Sequence, residues 1–253
     1  MCSPRNLSES GIVLAAHRTS TTLRRLRERV GLHFPESSGH YAHLDIQSYR
    51  ERVSSCQREL NEEDFVARIV AEIHGELSRY VEGDRFLCQS NLYLRATRPQ
   101  VAQHTEAIGW HRETFYGPNM ERSINVWTPV QGVVASNTLR FVPRSHLIAD
   151  DAIVVKQHDD PVTRKGSTGN TLGFLYAPKT IVGGVDLGSA VPMVVPDASS
   201  AIFPGNLIHG GAVNLGAEIR FSLDFRVIPL RFYDKGLSKQ LHAASGKPYF
   251  EEY

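Results

Sequence analysis

The chain has 253 residues, enough to bury a full core, and its 41% hydrophobic and 22% charged residues are ordinary for a globular protein. A formal net charge of +1 argues against a generally basic nucleic-acid binder. Cys2, Cys56 and Cys88 are odd in number and form no C-x-x-C pair, which excludes a disulfide framework and a thiolate zinc site. Met1-Cys2-Ser3-Pro4-Arg5 lacks the apolar core of a signal peptide, and no apolar run approaches the ~18 residues of a membrane span. The expected setting is a reducing cytoplasm, without membrane or nucleic-acid partners.

Residues 1–40 are polar and basic. Residues 21–30 (TTLRRLRERV) predict a short helix with Leu23, Leu26 and Val30 on one side and arginines on a solvated face. Residues 60–81 (LNEEDFVARIVAEIHGELSRYV) predict the clearest helix, capped by Asn61 and stopped by Gly83. Phe65, Ile69, Ile73 and Leu77 recur every four residues on one stripe, with Val66, Val70 and Tyr80 alongside; His74 lies off it.

After Gly83 the texture changes to short β-rich runs at 86–97, 123–130, 138–142, 152–155, 191–195, 200–203 and 219–228. Val195-Pro196-Asp197 and Phe203-Pro204-Gly205-Asn206 read as tight turns between them. Many short strands with turn signals predict a sandwich or barrel rather than βαβ units. One domain over 1–253 is expected: a helical N-terminal layer (1–83), a β core (84–230) and a C-terminal tail (231–253). Residues 156–190, with six glycines, are the least regular region, either a binding lid or loop decoration.

His111-Arg112-Glu113 carries the first chemistry. Residues i and i+2 of an extended segment project to one side, so His111 and Glu113 can meet one ion while Arg112 points away. His209, 98 residues on (209 − 111), supplies a second imidazole from a distant strand. Two imidazoles and one carboxylate are the set that holds Fe(II) on one face and leaves positions open. Arg220-Phe221-Ser222 follows, with Arg220, Ser222 and Asp224 on one face of a strand and Phe221, Leu223 and Phe225 on the other. A buried arginine needs an anion, and a guanidinium binds carboxylate through two parallel bonds. Metal set and anion site in this order point to an iron(II), 2-oxoglutarate-dependent oxygenase.

Five segments in order strengthen that reading: Trp110-His111-Arg112-Glu113; Ile124-Asn125-Val126-Trp127-Thr128; Thr138 through Pro143-Arg144-Ser145-His146; His209-Gly210-Gly211; and Arg220-Phe221-Ser222. Over residues 86–228 the chain resembles the phytanoyl-CoA dioxygenase-like family of Fe(II)/2-oxoglutarate oxygenases. The resemblance implies a mainly β fold, a double-stranded β-helix or jelly roll with N-terminal helices packed on it. It implies that His111, Glu113 and His209 bind Fe(II), that Arg220 and Ser222 hold the distal carboxylate of 2-oxoglutarate, and that Trp127 walls its pocket. His146 belongs to a structural pattern. Glu113 stands where most members have aspartate, which also argues against halogenation, and Arg144 replaces the usual glycine.

The implied reaction consumes O2, turns 2-oxoglutarate into succinate and CO2, and hydroxylates, desaturates or cyclises at a C–H bond of a small-molecule metabolite or natural-product intermediate. The substrate is expected near Arg112, Tyr116, residues 91–95 and the loop after Lys156, with Arg95, Arg98 and Arg140 read as surface charges. Two rivals are a cupin-like metal oxygenase without 2-oxoglutarate, which gives Arg220 and Ser222 no role, and a non-catalytic ligand-binding member of the fold. The sequence does not specify the oligomeric state.

Overall fold

The computed structural model describes residues 9–36, 38–81, 83, 85–99, 109–157, 179–211, 213–237 and 248–253. In chain order its elements are β1 (Val13–Ala16), α1 (Thr21–His33), α2 (Ser38–Ala42), α3 (Ile46–Glu62), α4 (Phe65–Tyr80), β2 (Phe86–Gln89), β3 (Tyr93–Thr97), β4 (Ile124–Gln131), β5 (Leu139–Phe141), β6 (Val154–Gln157), β7 (Lys179–Gly183), β8 (Val191–Pro192), β9 (Ser199–Pro204), β10 (His209–Gly211), β11 (Arg220–Pro229) and β12 (Phe250–Glu252). Short 3-10 turns lie between several strands.

A seven-stranded antiparallel sheet is ordered β1-β9-β4-β11-β2-β12, with β3 also on β11. A smaller sheet, β10-β5-β8, and the β6-β7 pair complete the β-structure. Each strand run expected from the sequence overlaps an observed strand, with shifted ends and with 86–97 divided into β2 and β3, and the architecture is the expected jelly-roll type with helices on one side. Strand β12 falls within residues read as a tail; it pairs with β2, Phe250 opposite Gln89.

Alternation along β11 decides what goes where. Successive side chains of a strand point to opposite faces. Phe221, Leu223, Phe225 and Val227 face the helices and share one apolar cluster with Leu23, Leu26 and Val30 of α1 and Phe65, Ile69, Ile73 and Leu77 of α4. Arg220, Ser222, Asp224 and Arg226 face the other way and line a cavity. Gly132 fits the crowded start of this strand: its φ is +67°, and a Cβ there would lie 2.2 Å from the Ile219 carbonyl oxygen.

The helices differ from expectation at one boundary. Asn61 does not cap a helix; α3 runs through it to Glu62, and α4 starts at Phe65 behind Asp64. Asp64 sits at φ 55°, a left-handed conformation that aspartate tolerates, and its side chain accepts from Ala67 N. Asn61 instead steadies the sheet, accepting from the Leu92 amide at 2.9 Å. Helix α3 was not foreseen because its buried stripe is Tyr49, Val53, Cys56, Gln57 and Leu60, weaker in aliphatic character than that of α4. The arginines of α1 pair with carboxylates: Arg25 and Arg29 with Glu63, and Arg27 with Asp197.

The middle of the glycine-rich region, 158–178, lies outside the described residues, as do Cys2, His104, His158 and His242; its flanks pair as β6 and β7. Among the described residues no helix is long and apolar enough to cross a membrane. Ile69 is fully buried at the helix–sheet interface. Ile69→Ala should lower unfolding free energy by about 2–5 kcal/mol in urea titrations, by lost transfer energy and the cavity left behind.

Candidate metal centre

His111 and His209 are brought together by the backbone itself. They form an isolated antiparallel bridge, His111 N donating to His209 O at 3.0 Å and His209 N to His111 O at 3.1 Å. Their rings lie 4.3 Å apart, centroid to centroid. Each Nδ1 sits 2.8 Å from a carbonyl oxygen two residues earlier, Gly109 O and Leu207 O. A carbonyl can only accept, so Nδ1 donates and Nε2 is the ring nitrogen left for a ligand.

Glu113 enters from a 3-10 turn rather than a strand. Arg112 is extended, and Glu113 opens the turn Glu113–Tyr116 with its amide donating to Gly205 O at 2.7 Å. Its Oε1 stands 3.7 Å from His111 Nε2 and 3.5 Å from His209 Nε2. One ligand atom from each of the three residues lies within 4.8 Å of the others, and all three residues are buried. Burial and the neighbouring His209 lower the pKa of His111, favouring the neutral imidazole. Burial would raise Glu113, but the Arg226 charge, with its hydrogen bonds, holds the carboxyl well below the ordinary range.

The Pro143-Arg144-Ser145-His146 stretch braces this pair without joining it. Ser145 Oγ accepts from Ile208 N at 2.8 Å, and Asn206 Nδ2 donates to His146 O at 2.8 Å, fixing the chain that leads into His209. Arg144 adopts φ 63°, the left-handed conformation a glycine would hold more cheaply. Arg112 points away from the triad, as expected, but it is not among the residues lining the cavity. It is 1% exposed and its guanidinium is taken up by Asp150, Ser145 O and Ile148 O, so the sequence expectation for it is corrected.

The face of β11 away from the helices supplies the second half of the site. His111, His209, Trp127, Leu139, Phe203, Arg220, Ser222, Asp224 and Arg226 line one cavity of about 640 Å³ including its open mouth. Arg220 is oriented by Thr97 Oγ1 at 2.7 Å and Asn137 O at 3.2 Å. Its Nε, Ser222 Oγ and Asn125 Nδ2 are buried with no hydrogen-bond partner among the described residues. Burial and the like charge of Arg95 lower Arg220 to about 10. Buried polar groups are normally satisfied, so this cluster is shaped for a group the protein does not itself provide.

Three charged residues here escaped the sequence reading. Arg95 is largely buried, not a surface charge, and donates to Asp224 at 2.7 Å. Arg98 is buried too, bonding Leu44 O at 2.6 Å and stacking over Tyr49. Arg226 forks Glu113, Nη2 to Oε1 at 2.8 Å and Nε to Oε2 at 3.0 Å, while its Nη1 reaches Asp224 at 2.6 Å. The signal available for Arg226 was its place on the Arg220 face of β11, six residues on.

The model for the family Phytanoyl-CoA dioxygenase (PhyH) matches residues 21–222, and the chain belongs to that family of Fe(II)/2-oxoglutarate oxygenases. A search of curated protein sequences finds no match. Among solved structures, EvdO2 from Micromonospora carbonacea var. aurantiaca is similar at 17% identity and TM-score 0.56, covering 90% of this chain and 92% of that one. EctD from S. alaskensis, solved with 2-oxoglutarate and 5-hydroxyectoine, is 14% identical with TM-score 0.55 over 91% of this chain and 77% of its own. The epimerase SnoN, in complex with Fe3+, alpha ketoglutarate and nogalamycin RO, is 14% identical with TM-score 0.53 over 98% and 91%. At these identities the likeness is one of fold.

Ser222 gives a test that needs no ligand. Removing a buried, unsatisfied hydroxyl relieves a desolvation penalty, so Ser222→Ala should leave unfolding free energy unchanged or raise it by up to about 1 kcal/mol in urea titrations.

Proposed function

We propose that this chain binds Fe(II) through His111, Glu113 and His209, takes 2-oxoglutarate and O2 as co-substrates, and hydroxylates, desaturates or cyclises at a C–H bond of a small polar metabolite or natural-product intermediate. The observation that carries this reading is a buried His-Glu-His donor set whose two histidines line the same cavity as an arginine and a serine with unused polar atoms. SnoN is recorded with Fe3+ and alpha ketoglutarate, and EctD with 2-oxoglutarate, which supports the same pairing here.

The donor set fits Fe(II). Two imidazoles that turn Nδ1 to backbone carbonyls and Nε2 to the carboxylate of Glu113 make a three-ligand face, leaving further positions open. When bound, iron supplies the O2 activation coupled to decarboxylation of the 2-oxo acid, chemistry no side chain can perform.

The protein's own part is placement. Arg220, held by Thr97 and Asn137, offers Nε to the distal carboxylate, and Ser222 Oγ adds a hydroxyl beside it on the same face. Trp127 and Phe203 wall the cavity with apolar rings and exclude water from the reacting end. Asn125, on β4 opposite Arg226 of β11, aims an unpaired amide nitrogen into the same space. A small organic substrate agrees with the nogalamycin and ectoine ligands of the two similar structures.

Calorimetric titration tests the assignments one by one. His209→Ala and Glu113→Ala should lose Fe(II) binding while keeping the fold. Arg220→Ala should keep Fe(II) but weaken 2-oxoglutarate at least about 30-fold, because truncating one partner of a buried charge pair costs about 2 kcal/mol or more. Undiminished 2-oxoglutarate binding in Arg220→Ala would remove Arg220 from the co-substrate site, whereas iron binding without any 2-oxoglutarate binding in the unaltered chain would transfer the case to a cupin-like oxygenase.

A further inference from the structure

The glutamate at the metal position carries a difficulty that Arg226 answers. A glutamate has one more methylene and one more torsion than an aspartate, so its carboxylate is freer to rotate and to chelate one ion with both oxygens. Chelation would occupy a coordination position that a 2-oxo acid and O2 need.

The structure shows how the carboxylate is restrained. Arg226 spans both oxygens in a fork, at 2.8 Å to Oε1 and 3.0 Å to Oε2. Two parallel N–H bonds to one carboxylate use the lone pairs that face the donor side, the same pair a chelating ion would require. Oε1 is also the oxygen that lies 3.5 Å and 3.7 Å from the two Nε2 atoms, so its remaining lone pair is the one available to an ion between them. Oε2 is held on the guanidinium side.

The fork is itself anchored. Arg226 Nη1 is bonded to Asp224 at 2.6 Å, and Asp224 is bonded from its other side by Arg95 at 2.7 Å and 3.2 Å. Gln89 accepts from the Arg226 amide at 3.2 Å, and the Arg226 guanidinium lies 5.5 Å over the Tyr93 ring. Glu113, Asp224 and Arg226 are all buried, so the string Arg95–Asp224–Arg226–Glu113 has little room to rearrange.

Resting on the iron and 2-oxoglutarate reading above, we propose that Arg226 is a positioning residue that keeps Glu113 a single-oxygen ligand and so preserves the coordination positions 2-oxoglutarate occupies. Its loss should therefore separate metal binding from co-substrate binding. Outer partners of metal ligands typically matter by about 10–100-fold when altered.

The experiment is an anaerobic titration of the full chain with Fe(II) and then 2-oxoglutarate, following the visible charge-transfer band of a chelated 2-oxo acid. It compares the unaltered chain, Arg226→Gln, Arg226→Lys, Glu113→Asp and the Glu113→Asp/Arg226→Gln double variant. Arg226→Gln should bind Fe(II) within about tenfold of the unaltered chain yet bind 2-oxoglutarate at least about tenfold more weakly. Arg226→Lys keeps the charge that folding needs but not the fork, and should show the same split even if Arg226→Gln fails to fold. In Glu113→Asp the shorter carboxylate no longer reaches the fork, so adding Arg226→Gln should change 2-oxoglutarate affinity by less than about twofold, a non-additivity that marks direct coupling.

Unchanged 2-oxoglutarate affinity in Arg226→Lys overturns the proposal. So does an equal loss from Arg226→Gln whether Glu113 is kept or replaced by the shorter acid. If the unaltered chain binds no iron, or binds iron without the band, the functional reading itself falls and this inference with it.

Discussion

Period-two alternation along a single ten-residue strand is the constraint on which the rest of the structure depends. Strand β11 gives Phe221, Leu223, Phe225 and Val227 to the helix–sheet core and Arg220, Ser222, Asp224 and Arg226 to the cavity. A slip of one residue would bury four polar groups in the core and empty the site, so folding and chemistry specify the same register. The N-terminal helices serve the site indirectly: α1 and α4 cover the apolar face and leave the polar face to the jelly-roll interior.

The polar face carries an unusual density of buried charge. Glu113, Arg220, Asp224 and Arg226 are each at most 8% exposed, and Arg95 stands beside them. Buried ions are tolerated only when paired and hydrogen-bonded. Asp224 meets two guanidiniums and Glu113 meets one, whereas Arg220 donates to neutral groups, Thr97 and Asn137. That difference separates a part of the network that is complete in itself from a part shaped for an incoming anion. On one strand, then, Arg226 is ion-paired within the protein while Arg220, the arginine proposed for the co-substrate, is hydrogen-bonded only to neutral groups.

Much of this was legible in the sequence, and the reasons are physical. The strands were readable because β-branched and aromatic runs are punctuated by Gly, Pro and Asn, and α4 because its aliphatic stripe recurs every four residues. The candidate triad and Arg220 with Ser222 were readable because metal and carboxylate chemistry require those residue types at those spacings; the structure brings His111, Glu113 and His209 together and sets both histidines with Arg220 and Ser222 around one cavity. What the sequence concealed were long-range partnerships. Arg95 and Arg98 read as surface charges because arginine usually is exposed, and Arg112 as a neighbour of substrate; only tertiary contacts from Asp224, the loop after α2 and the turn near Asp150 bury them. The Asn61 boundary was misplaced because a good capping residue inside a helix looks the same in sequence as one at its start. Arg226 lay on the same strand face as Arg220, but its partner Glu113 is 113 residues away.

The central claim is that one cavity holds both an iron site and a 2-oxo acid site. The most direct measurement is an anaerobic titration of the purified chain with Fe(II) and then 2-oxoglutarate, read in the visible spectrum. The account predicts saturable binding of one iron per chain and a charge-transfer band that grows to one 2-oxoglutarate per iron. Iron binding with no band on addition of 2-oxoglutarate, or no iron binding at all, would contradict it.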